Sequence, residues 1–167
     1  MRPGSISWWL GKMRQARRHV LARVGPGERD ALVAWLTPAE LALFDAMHVA
    51  DRRHGLDVVA VLKGEGMTER DVLVAGLLHD CGKGNAGLVT RVLVSLEQAH
   101  LGWPARIAGT VPAARRTLQR LRDHAELSAS LAGRAGCSER TVELIRWQDD
   151  PRDPVAGERL RLADEAS

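Results

Sequence analysis

The amino-acid sequence predicts an all-α fold, and two observations carry the prediction. Strand signals are nearly absent: there is no tyrosine, only one phenylalanine, and no sustained apolar-polar alternation between turn signals. Helix punctuation, in contrast, recurs along the whole chain. A length of 167 residues suits one core. The expectation is therefore a single-domain helical bundle of roughly eight to ten helices with short connections.

The elements follow in order. A basic helix over about 7–23 lies within residues 1–25, packed on or appended to a domain that spans 26–167. A second helix covers 29–36. Thr37, Pro38 and Glu40 form a start signature: a capping hydroxyl, a proline at the first helical position and a glutamate three after the cap. That helix runs toward Met47. The segment ADRRHGLDVVAVL (50–62) reads as a core-facing helix that stops at the GEG of 64–66. Thr68 and Asp71 open the next, a buried helix over Glu69 to Asp80. Helices are expected at 86–100, 112–122 and 124–135, with an irregular stretch at 102–112 as the candidate substrate opening. Ser138, after the Gly136 stop, begins an amphipathic helix that ends in WQDDP, and Pro154 opens the last helix.

Bulk properties exclude several classes. A hydrophobic share of 45% and a charged share of 27% are ordinary for globular proteins. No apolar stretch approaches the roughly 18 residues that span a bilayer. The SWWL run is followed at once by Lys12, Arg14, Arg17 and Arg18, unlike a secretory leader, so a cytoplasmic location is expected. Cys81 and Cys137 are far apart with no CxxC pair, which argues for reduced thiols. The formal charge is +3, and residues 1–24 carry six Arg or Lys and no acidic residue. Such an asymmetry points to an anionic partner or substrate.

The chemistry centres on LLHDCGKG (77–84). The apolar run Val72 to Leu78 ends in His79 and Asp80, where the pattern predicts burial. A buried carboxylate must be paired or neutralised, and a divalent cation is the most economical partner. Successive helical side chains diverge by about 100°, so further ligands must come from distant sequence. His54, on the core-facing helix, and Asp164, in LRLADEAS, are the candidates. Imidazole with carboxylate suits Mn, Fe, Zn, Co or Ni, while Mg prefers more oxygen ligands.

These residues resemble a family. ADRRH (50–54), LLHDCGK (77–83) and LADEAS (162–167) look like the HD superfamily of metal-dependent phosphohydrolases, whose signature is a His, then His-Asp, then a late Asp. DHAELSASLAGRAGCSERTVELIRWQDDP also resembles the bacterial subset of that family. The resemblance implies an HD-type helical bundle in which His54, His79, Asp80 and Asp164 hold one metal and a phosphate ester, expected to be of a nucleotide, is hydrolysed. Asp80 would also orient or deprotonate the attacking water, and Lys83 would steady phosphate charge. His124 matches a ligand position for a second metal, with substrate contact as the alternative role. Where two-metal members carry a His-His pair, however, this chain has Gln148 and Asp149; Asp149 could replace one imidazole as a ligand to a second metal beside His124, but one tight ion with a second weak or absent is expected.

Plainer readings stand beside these. Asp149 and Asp150 suit a solvated helix end, and His124 a helix start. Lys83 could be an exposed turn lysine. Arg53 either pairs with an acidic neighbour or points at substrate, and the arginines at 115, 116, 120 and 122 suit a wet face. A rival to the hydrolase is an HD-fold nucleotide-binding or signalling module with impaired catalysis. The N-terminal helix, with Trp8 and Trp9, is a candidate for an anionic membrane surface, although such tryptophans more often cover the domain's own core. Base-specific nucleic-acid recognition is not expected, because no known motif accompanies the basic stretch.

Overall fold

The computed structural model describes residues 22–84, 119 and 123–167. Among them lie seven α-helices and no strand, so the chain is all-α there. The helices expected over 7–23, 86–100 and 112–122 fall almost entirely outside the described residues, as do the 102–112 stretch and Arg115, Arg116, Arg120 and Arg122. No helix among the described residues is long and apolar enough to cross a membrane.

Helix α1 spans Pro26–Val33 and so begins earlier than the expected 29–36. Pro26 opens it, and Glu28 accepts a hydrogen bond from the Gly25 backbone N–H at 2.9 Å, satisfying an orphan donor. Helix α2, Pro38–Asp45, has its capping box in place: Thr37 Oγ1 accepts from the Glu40 N–H, and Glu40 Oε2 accepts from the Thr37 N–H at 2.8 Å. Glu40 is buried, and Arg70 compensates its charge at 2.5 Å. Helix α3, Val49–Gly64, closes with paired hydrogen bonds from Gly66 to Lys63 and from Met67 to Leu62.

Helix α4, Arg70–Leu78, is buried along its whole apolar run and packs against α2, α3 and the two later helices α6, Glu139–Arg146, and α7, Ala156–Ala166. It stops two residues short of the expected end. His79 is its cap, and Asp80 precedes a single 3₁₀ turn over Cys81–Lys83. That turn packs on α5, His124–Arg134. Ser138 caps α6, its Oγ accepting from the Thr141 N–H at 3.1 Å. For α7 the start is set by Asp153, whose carboxylate accepts from the Val155 and Ala156 N–H groups, and not by Pro154. Phe44, Val58, Leu62, Leu77, Ile145 and Leu160 are almost wholly removed from solvent and belong to one apolar cluster. Cys81 and Cys137 are free thiols.

Candidate metal centre

Two close backbone approaches bring the polar residues together. A Cβ at Gly55 would lie 2.5 Å from the Leu77 carbonyl oxygen, so α3 crosses α4 in direct backbone contact, one residue after His54 and two before His79. A Cβ at Gly82 would meet the His124 carbonyl oxygen at 2.5 Å and the Ser128 nitrogen at 2.6 Å. Gly82 N–H donates to Ser128 Oγ at 2.8 Å, which fixes the turn after Asp80 on the first turns of α5. Helix α7 lies along α3 and α4 and delivers Asp164.

At this junction His54 Nε2 lies 2.7 Å from Asp164 Oδ1, and His79 Nε2 lies 3.3 Å from the same oxygen. One ligand atom from each of His54, His79 and Asp164 falls within 4.8 Å of the other two. Asp80 joins through His79, with Oδ1 3.5 Å from His79 Nε2. Asp80 and His79 are buried, whereas the Asp164 side chain is 43% exposed, so the cluster opens on the α7 side.

His79 Nδ1 is 2.9 Å from the Gly76 carbonyl, to which it donates, and this turns Nε2 toward the carboxylates. His79 Nε2 and Asp80 Oδ1 are nevertheless buried atoms without a hydrogen bond. Burial opposes the charged form of His79, but the carboxylates of Asp80 and Asp164 outweigh it and raise its pKa. Burial pushes Asp80 up, yet His79, Lys83, His54 and His124 together hold it well below the usual carboxylate range. Asp164 is likewise held low against burial, by its hydrogen bond to His54 and by the nearby His79 ring. The carboxylates thus draw positive charge into the space between them. A divalent cation fits the donor set of His54, His79 and Asp164, whose ligand atoms lie within 4.8 Å of one another; Asp80 stands outside that group, its Oδ1 beside His79 Nε2, and both of these are the orphaned buried atoms.

The other candidates fall as follows. Lys83 Nζ lies 2.5 Å from Asp80 Oδ2. His124 Nε2 lies 3.7 Å from Asp80 Oδ1. Arg53 is engaged by Glu28 at 2.5 Å and by Asp57 at 2.9 Å. Asp149 is exposed and makes no hydrogen bond or ion pair among the described residues, while its neighbour Gln148 is buried with its amide 2.9 Å from His124 Nε2. Ser128, wholly buried, gave no signal in the sequence: a serine inside a helix is ordinary, and only its contact with Gly82 marks it. Compared with protein-family models, curated proteins and solved structures, the chain matches none.

Proposed function

We propose that this chain is a metal-dependent phosphohydrolase of the HD type, cleaving a phosphate ester by attack of water, with nucleotides as the first substrate class. The observation that carries the reading is the convergence of His54, His79 and Asp164 within 4.8 Å, with Asp80 beside them and two buried atoms left to be satisfied. The motif likeness over ADRRH, LLHDCGK and LADEAS supports the same reading, including an HD-type bundle of eight to ten helices.

His54, His79, Asp80 and Asp164 would hold the ion. When bound, a divalent cation there supplies Lewis acidity, polarising a phosphoryl oxygen and making water acidic enough to attack near neutral pH. The residues do the rest. The hydrogen bond from His79 Nδ1 to Gly76 keeps the other ring nitrogen on the ligand side. Lys83 neutralises one oxygen of Asp80 and presents its ammonium, about a quarter exposed, to phosphate charge. Asp80, besides ligating, orients the attacking water; as the new P–O bond forms the ester P–O bond breaks, and the proton lost by the water ends on the departing alkoxide. Burial of His79 and Asp80 keeps bulk water from the carboxylate that does this work.

Metal analysis of the purified chain, followed by a nucleotide panel with Mn, Co, Ni and Mg, tests the reading. Asp80→Ala is expected to lose both bound metal and turnover; a variant that hydrolyses without metal contradicts it. A second reading, a nucleotide-binding module without turnover, is favoured by one observation: an amide, Gln148, stands against His124 instead of an imidazole. Saturable nucleotide binding by calorimetry with no product under any metal decides for that reading.

A further inference from the structure

Beside Asp80, His124 and Gln148 form a pair that the metal centre does not use. Gln148 follows α6 and is only 7% exposed. Its amide Nε2 is 2.9 Å from His124 Nε2, and that same ring nitrogen is 3.7 Å from Asp80 Oδ1. The other end of the amide, Oε1, is buried without a hydrogen bond, as is Asp80 Oδ1. A buried carboxamide with one end idle carries a desolvation penalty, and a ligand atom that reaches it removes that penalty.

A carboxamide has no charge with which to hold a second divalent ion, but it offers both a donor and an acceptor and can turn end for end. With its carbonyl accepting the Nε2–H of His124, its NH₂ is free to donate to a phosphoryl oxygen. We propose that the His124–Gln148 pair is a hydrogen-bonding arm that receives phosphate oxygens in place of a second cation, so that the chain holds one divalent ion. The inference rests on the hydrolase reading above and deepens it: Gln148 orients His124 and binds the phosphate beside Asp80.

The test uses the full chain loaded with Mn(II) and freed of excess metal by gel filtration. Metal content per chain is measured, and inorganic phosphate is titrated by calorimetry, for the native chain and for Gln148→Met. One ion per chain is expected in both, with a phosphate dissociation constant about tenfold weaker in the variant, the effect of losing one hydrogen bond to a charged group. Should Gln148→Met fail to fold, Gln148→Asn, which withdraws the amide by one methylene, is expected to show the same loss. Two ions per native chain, or phosphate affinity unchanged by the substitution, overturns the inference and leaves the hydrolase reading standing. A native chain that binds no ion overturns the underlying reading and this inference with it.

Discussion

Gly55→Ala tests the link between helix packing and the metal centre. The added Cβ would sit 2.5 Å from the Leu77 carbonyl oxygen, 3.2 Å from its carbon and 3.3 Å from its Cα, all backbone atoms that cannot rotate aside. Ordinary contact begins at 3.4 Å, so α3 and α4 must part locally by about 0.9 Å. Overpacking of this kind costs about 1–3 kcal/mol, and the better helix propensity of alanine returns at most about 1 kcal/mol. A net loss of up to about 2 kcal/mol lowers the melting temperature by up to about 8 °C in a chain of this size. His54 and His79 flank this crossing. A shift approaching 1 Å far exceeds the ~0.2 Å tolerance of metal–ligand distances, so metal affinity should fall by about 10–100-fold, as for other supporting contacts of metal sites. Thermal melts and competition with a chromophoric chelator measure both. Gly64→Ala, at the end of the same helix with nothing within 4 Å of the new Cβ, is the control and should be neutral or slightly stabilising. A Gly55→Ala protein with native melting temperature and metal affinity refutes the claim that this crossing sets the site.

Other outcomes follow from the same contacts. Ser128→Ala deprives the buried Gly82 N–H of its acceptor and is expected to destabilise by about 1–3 kcal/mol in chemical denaturation; no loss would mean that the turn after Asp80 is held by other contacts. Lys83→Met should retain the bound ion yet lose phosphate affinity and turnover by about tenfold or more, measured by calorimetry and initial rates. Burial, reinforced by the neighbouring Glu40 carboxylate, pushes the Cys137 thiol up from 9.0 to about 12. The folded chain therefore keeps this thiol protonated where the unfolded chain ionises it, and its contribution to stability, complete below about pH 9, declines as pH rises toward 12. At pH 8 Cys137 should resist iodoacetamide until denaturant is added; rapid alkylation of the folded chain contradicts this.

What the sequence revealed follows the range of the forces involved. The starts of α2 and α6 were legible because Thr37 and Ser138 cap them through contacts three residues long. The end of α4 was not, since an uninterrupted apolar run carries no stop signal. What ends the helix is the seating of Gly82 on α5, a contact between residues 46 positions apart. In the same way Asp153, not Pro154, sets the start of α7, because its carboxylate reaches the backbone donors. The candidate site was legible from a different kind of conflict: His79 and Asp80 stand where burial was expected, and both are buried. Placement in apolar helical segments, and then motif likeness, singled out His54 and Asp164 as partners, and the three-dimensional arrangement sets them beside His79. The pairing of Gln148 with His124 depends on how α6 lies against α5 and has no local signature.

The most direct measurement is anomalous diffraction from crystals of the full chain grown with Mn(II). The account predicts one strong peak in the space bounded by His54 Nε2, His79 Nε2 and the carboxylates of Asp80 and Asp164. A map with no peak there, or with manganese bound only elsewhere, contradicts it.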